Sequence, residues 1–268
     1  MPTAQTHTTR VEGLDIFWRG DPDRSPTLYV HGVPTSSSDW SPFLEAGGGV
    51  AVDLPGFGRS AKPAERSYVI AEYDLFIERF LDAVGLERVN LVVHDWGAVG
   101  LAFAQRRPER IRRLVVINAV PLLERYSWHL IAKAWRTPLV GEALMAAVNR
   151  PTAKLLTSPA NVGPMPEQWL DETLETLDPR TRRAILQLYR SSPPDVLEAS
   201  GRRLSEIGAP ALVAWGARDP FIGLEFAYAY ANALDAELRV ISEAGHWPWL
   251  DRPELVEGVV DFLAQGER

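Results

Sequence analysis

The sequence contains no cysteine. That removes disulfides, thiolate-bound zinc and cysteine nucleophiles together. It leaves the compartment open, because a cysteine-free chain tolerates either redox setting. Positive charge is also in short supply: 28 Lys and Arg stand against 35 Asp and Glu, for a formal net charge of -7. An acidic surface is a poor partner for a phosphate backbone, so nucleic-acid binding is not expected. No apolar run approaches the ~20 residues that cross a bilayer. Residues 1–10 are polar and lack the apolar segment of a secretory signal. The expectation is a cytoplasmic protein without a membrane partner. Histidine is scarce too, with only His7, His31, His94, His129 and His246. No pair of them has the i, i+4 spacing of helical metal ligands and no carboxylate cluster accompanies them, so no metal is expected.

What is present suits a soluble globular chain with a sizeable core: 268 residues, 46% hydrophobic and 24% charged. Short runs rich in Val, Ile and Leu lie at 14–18, 27–30, 50–52, 89–93, 114–117, 211–215 and 238–241. Apolar residues on both faces mark strands of a parallel sheet buried on both sides. Amphipathic stretches at 70–84, 98–106 and 253–263 read as helices between or after them. Strand–helix alternation of this kind predicts a doubly wound, mostly parallel α/β sheet. The rhythm stops from 121 to 205. That stretch is helical in pattern (128–135, 141–148, 167–177, 180–189) and punctuated by Pro138, Pro151, Pro159, Pro164, Pro166, Pro179, Pro193 and Pro194. It reads as a helical cap inserted into a core made of 1–120 and 206–268. The cap holds Trp128, Trp135 and Trp169, which either fill its interface with the core or face a substrate.

Four loops that follow strands carry the chemistry. The first is Val92-Val93-His94-Asp95-Trp96-Gly97-Ala98-Val99-Gly100, a buried strand that ends in one turn residue before small residues open a helix. This is the pattern of a nucleophile elbow, with Asp95 where the commoner form has serine and His94 in place of its first glycine. The competing reading of Asp95 is a helix N-cap. In the second, Val30-His31-Gly32-Val33-Pro34 aims the Val33 N–H at the same point. With the N–H of Trp96 it forms an oxyanion hole, and His31 braces the loop at the margin of the pocket. The third carries Asp219 in Trp215-Gly216-Ala217-Arg218-Asp219-Pro220, and the fourth His246 in Ala244-Gly245-His246-Trp247-Pro248. The order nucleophile, acid, histidine is that of a Ser/Asp–Asp–His triad. His246 alone among the histidines lies on such a loop after an acid. At the end of the 114–117 strand stands Asn118, not an acid, so Asp219 is the expected acid.

With an aspartate at the elbow, the chain resembles the branch of the α/β-hydrolase superfamily that holds epoxide hydrolases and haloalkane dehalogenases. The resemblance runs nearly the whole length and includes Asp53-Leu54-Pro55-Gly56-Phe57-Gly58-Arg59-Ser60 and Gly245-His246-Trp247-Pro248. It implies an α/β-hydrolase fold and a carboxylate that attacks an sp³ carbon, forming an alkyl ester that histidine-activated water then hydrolyses. It implies no cofactor, water as co-substrate, and a monomer or homodimer. Dehalogenases hold the departing halide with the indole N–H after the nucleophile and a second donor, often an Asn in a His-Gly-Asn-Pro loop or else a cap tryptophan. Here the Asn position is Val33. Epoxide hydrolases protonate the ring oxygen with cap tyrosines, and Leu188-Tyr189-Arg190 is similar to the segment carrying one of them. The spacing that would give the other points to Ile131, and Tyr126 and His129 are the nearest donors. Tyr189 could also simply anchor its helix.

The leading expectation is therefore hydrolysis of a small apolar epoxide to a vicinal diol. Asp95 is its nucleophile, His246 its base, Asp219 the residue orienting His246, and Tyr189 the proton donor. Its pocket candidates are His31, Tyr126, Trp128, His129, Trp135 and Trp169. The alternative is dehalogenation, with Trp96 and Trp128, Trp135 or Trp169 holding halide. A third reading is a catalytically silent ligand-binding homologue, which has no need of all three triad members.

Overall fold

The computed structural model describes residues 4–158 and 160–265. The outermost ends of the expected core and Pro159 of the expected cap lie outside the described residues. Eight strands form one sheet in the order β1-β2-β4-β3-β5-β6-β7-β8. They are β1 Thr6–Val11, β2 Leu14–Asp21, β3 Thr27–Val30, β4 Gly49–Val52, β5 Val89–Asp95, β6 Ile111–Ala119, β7 Ala211–Gly216 and β8 Glu237–Ile241. From β4 through β3 to β8 every pairing is parallel, whereas β1 and β2 pair antiparallel.

The residues explain the pattern. β3, β4, β5 and β7 are buried at every position, and their aliphatic side chains alternate between the two faces. Leu91 and Val93 of β5 join the core on one side, with Phe76, Phe80 and Phe103; Val92 joins the core on the other, with Trp40, Phe43 and Trp249. Helices cover both faces: α1 Ser41–Gly47, α2 Ile70–Ala83, α3 Val99–Arg106, and further on α10 Glu225–Leu234, α11 Pro248–Asp251 and α12 Glu254–Ala264. Between β6 and β7 the chain leaves the sheet for six helices, α4 Leu130–Arg136, α5 Val140–Ala146, α6 Arg150–Thr157, α7 Glu167–Thr176, α8 Pro179–Ser191 and α9 Pro194–Ser200. No strand interrupts them among the described residues.

One sequence expectation needs correction. The polar segment that includes His7 is not a tail: β1 is an edge strand joined to β2 by a two-residue turn at Glu12 (φ 52°) and Gly13 (φ 79°), and His7 stacks on Trp18 at 4.0 Å. Pro151 and Pro194, among the prolines that punctuate the cap, mark helix starts. Each sits in the first turn of a helix, α6 and α9, where its missing N–H goes unused.

Candidate active site

β5 ends at Asp95, and the chain turns at once into a 3₁₀ turn, Trp96–Ala98, and then α3. Asp95 has φ 48° and ψ -122°, a conformation that residues with side chains avoid unless their surroundings impose it. The surroundings do impose it. The Val120 N–H donates to the Asp95 carbonyl at 3.0 Å. A Cβ on Gly97 would lie 2.1 Å from the Val30 carbonyl oxygen, and one on Gly32 2.4 Å from the Asp95 Cβ, so only glycine permits these approaches. Asp95 makes no capping hydrogen bond to the helix it precedes. Its Oδ1 instead accepts the Val33 N–H at 2.7 Å, and its Oδ2 lies 3.6 Å from His246 Nε2. Trp96 follows it at the start of the turn, its ring buried.

His246 Nδ1 donates to Asp219 Oδ2 at 2.7 Å. Asp219 is fixed in turn, because its Oδ1 accepts the N–H groups of Phe221 and Ile222 and its Oδ2 also accepts from Asn118 Nδ2 at 2.7 Å. The carbonyl of the Asn118 side chain takes the Gly216 N–H at 2.9 Å, so the residue at the alternative acid position braces the acid and the strand that carries it. Burial disfavours a charged imidazole at His246, but the Asp219 carboxylate and then Asp95 outweigh it and hold its pKa at about 10. Burial works against the Asp95 carboxylate, yet His246 and the Val33 N–H pull its pKa below the usual 3.8. The resting site is therefore an ion pair, aspartate facing imidazolium.

A histidine whose pKa rises from 6.5 to about 10 on folding contributes stability that is complete below 6.5 and is lost as pH climbs toward 10. The melting-temperature gap between the native chain and His246→Gln is expected to shrink over that window. A constant gap would mean that the imidazole is not charged at rest.

The other histidines play different parts. His31 Nδ1 donates to the Gly32 carbonyl at 2.7 Å and its Nε2 accepts the Leu54 N–H at 3.0 Å; it braces the loop and does not line the cavity, which corrects its place among the pocket candidates. His94 donates from Nε2 to the His246 carbonyl at 2.8 Å, and burial lowers its pKa to about 3, so it stays neutral.

Above Asp95 and His246 lies a cavity of about 110 Å³. An engineered apolar cavity of ~150 Å³ takes up benzene, so this one suits a small molecule. No lysine or arginine lines it among the described residues. Tyr126, Trp128, His129, Trp135, Trp169 and Tyr189 all do. The indole N–H groups of two of these are already engaged, that of Trp128 with the Ser192 carbonyl at 3.0 Å and that of Trp169 with Asp39 at 2.9 Å. That corrects the expectation that either could hold a halide. Trp96 does not line the cavity; it stacks on Trp128 at 5.4 Å and meets Tyr189 edge-on at 5.1 Å, its indole N–H buried without a hydrogen-bond partner.

The Tyr126 hydroxyl is buried and also has no hydrogen-bond partner. Burial and the charges of Asp95 and Asp219 push its pKa up. Tyr189 is raised well above 10.0 by burial and then by Asp95, with the nearby Trp96 indole working the other way. Both phenols stay protonated. His129 caps α4 by accepting the Ala132 N–H at Nδ1, and burial lowers its pKa to about 4, so near neutrality the ring is uncharged and carries its single proton on Nε2. Among the described residues, no group of His, Asp and Glu side chains could hold a metal ion.

The model of the α/β-hydrolase family matches residues 28–259. The chain belongs to the α/β-hydrolase family. Within it, this α/β-hydrolase falls in the branch of haloalkane dehalogenases and epoxide hydrolases. It is 31% identical over 239 residues to a haloalkane dehalogenase of Mycolicibacterium paratuberculosis, covering 81% of this chain and 74% of the relative. It is 26% identical to epoxide hydrolase 1 of Caenorhabditis elegans over 93% of this chain and 67% of the relative. Among solved structures it is similar to a haloalkane dehalogenase from Bradyrhizobium elkani, with TM-score 0.84 and 25% identity over 97% of each chain. No helix among the described residues is long and apolar enough to cross a membrane.

Proposed function

We propose that this α/β-hydrolase converts a small apolar epoxide to a vicinal diol, in a core of residues 1–120 and 206–268 closed by a cap of 121–205. The carrying observation is the buried Tyr126 hydroxyl, which has no partner inside a cavity that also exposes Tyr189 to Asp95. A buried hydroxyl left unpaired costs about 1–3 kcal/mol, and an epoxide oxygen would satisfy it.

Asp95 Oδ2 attacks an epoxide carbon, and the C–O bond breaks toward the ring oxygen. Tyr126 and Tyr189 hydrogen-bond to that oxygen and supply the proton it needs as it becomes an alkoxide, which is more basic than either phenolate. The product of this half is a hydroxyalkyl ester on Asp95. Esterification removes the Asp95 charge, one of the two that keep His246 protonated. The imidazolium then returns its proton to the phenolate through the site, and neutral His246, held by Asp219, takes a proton from water. The hydroxide formed attacks Cγ of the ester. The negative charge develops on Oδ1, where the Val33 N–H already stands at 2.7 Å; the Trp96 N–H is the second donor proposed for it. Collapse releases the diol and restores the carboxylate.

Dehalogenation by the same ester is supported by the unpartnered Trp96 indole N–H and by the 31% identity to a haloalkane dehalogenase. The two chemistries part at the tyrosines. Tyr126→Phe and Tyr189→Phe should each lower kcat for butylene oxide by about 10²-fold, in line with loss of a general acid, and leave bromide release from butyl bromide unchanged. Full epoxide turnover in the double variant would remove the tyrosines from the mechanism.

A further inference from the structure

Asp39 is a buried carboxyl for which the reaction above has no use. It sits in the 3₁₀ turn Ser37–Trp40, just after the Val33 loop, and is 4% exposed. Both its oxygens are taken by indoles. Trp169 Nε1 donates to Oδ1 at 2.9 Å and Trp247 Nε1 to Oδ2 at 3.3 Å. Trp169 belongs to cap helix α7, and Trp247 immediately follows His246. The two rings meet at 4.8 Å, and both line the cavity. The Trp247 ring also stands edge-on to His246, at 4.6 Å and 85°.

An apolar side chain would be the cheaper occupant of such a position, since a buried carboxyl costs free energy whether charged or neutral. Burial raises the Asp39 pKa to about 7, against the donors Thr35, Trp169 and Trp247 and the charge of His246. What the carboxyl offers in exchange is two acceptors set apart, so that one side chain joins three stretches distant in sequence: the turn after β3, the cap and the histidine loop. The cap also grips the Trp247 backbone, through Asn161, whose Nδ2 donates to the Trp247 carbonyl at 2.8 Å and whose Oδ1 accepts its N–H at 3.2 Å. The ring, however, is held by hydrogen bonding only from Asp39 among the described residues.

We propose that Asp39 is a positioning residue that docks the cap onto the core beside His246 and so sets the cavity wall formed by Trp169 and Trp247. The proposal rests on this cavity being the active site. The test compares the full chain with Asp39→Leu and Asp39→Asn by hydrogen exchange and by kinetics. Loss of both acceptors should speed exchange about fivefold in α7 and in residues 246–251, the effect of roughly one lost hydrogen bond, and leave β5 and β6 untouched. Asp39→Asn, which keeps one acceptor, should fall between, and carries the comparison alone if the leucine variant does not fold. KM for butylene oxide or butyl bromide, whichever the native chain consumes, should rise by a similar factor in Asp39→Leu at nearly constant kcat, and recover in part in Asp39→Asn. Unchanged exchange in α7, exchange raised equally throughout the sheet, or a fall in kcat at constant KM would each overturn the proposal. If the native chain consumes neither compound, the reaction assigned above fails, and exchange alone decides the latch.

Discussion

His246→Gln is expected to stop after half a reaction. Asp95 can still attack, because its nucleophilic oxygen needs no base; the ester it forms cannot be hydrolysed without one. Turnover should fall by ~10²–10⁴-fold, the range for loss of a general base, while intact-protein mass spectrometry shows a stable adduct and peptide mapping places it on Asp95. Butylene oxide should add the mass of the whole epoxide and butyl bromide, if it reacts, only that of the butyl group. The adduct thus names the leaving group as well as the nucleophile. A folded variant whose mass is unchanged by both compounds would sink the assignment of Asp95. The experiment is favourable here because the ion pair of the resting site is not needed for attack: removing the imidazolium leaves Oδ1 on the Val33 N–H.

Asp95→Asn should have the larger effect on rate, a loss on the order of 10⁴–10⁶-fold in kcat, as when a member of a catalytic triad is removed. The amide retains an oxygen for the Val33 N–H, so the elbow should keep its strained turn and the chain its fold. The charge is gone, however, and with it part of what holds the His246 proton. The imidazole should therefore titrate lower than about 10, as followed by its ring proton resonances. Residual turnover near the native rate would show that the reaction does not pass through an Asp95 ester. A histidine titration that does not move would show that the pair at 3.6 Å is not electrostatically coupled.

Strands buried on both faces are the plainest in the sequence, although β2 and the exposed edge strand β8 are legible too from their short apolar runs. β3, β4, β5 and β7 show as short, mostly apolar runs, and β3, β5 and β7 each end in one of the loops that hold the site. β1 does not: at the sheet edge its side chains alternate between water and the sheet, and Thr-His-Thr-Thr-Arg-Val looks like a polar terminus unless the Glu12–Gly13 turn is recognised as a hairpin. α10 was hidden for a different reason. Its stretch Glu-Phe-Ala-Tyr-Ala-Tyr-Ala-Asn-Ala-Leu alternates large and small residues, which obscures the helical period.

In the site, Asp95, Asp219 and His246 are legible because each sits at a fixed place after a strand. Tyr126, Asn118 and Asp39 depend on contacts across the fold. Asn118 stands 101 residues from the carboxylate it braces, and Asp39 lies 130 and 208 residues from its two indoles. No local pattern encodes such distances. The strand-end position of Asn118 was the one available signal, and it was read for what it lacks, an acid, when its amide turned out to serve the acid next door.

The Val33 N–H pins Oδ1 of Asp95, so the two oxygens of the carboxylate are not equivalent. On the proposed route Oδ2 leaves with every product molecule, and a solvent oxygen takes its vacated place. Each diol therefore carries an oxygen that entered the protein one cycle earlier. On that route the protein would hold an isotopic memory one turnover deep, stored on a single atom and kept unscrambled by one backbone hydrogen bond.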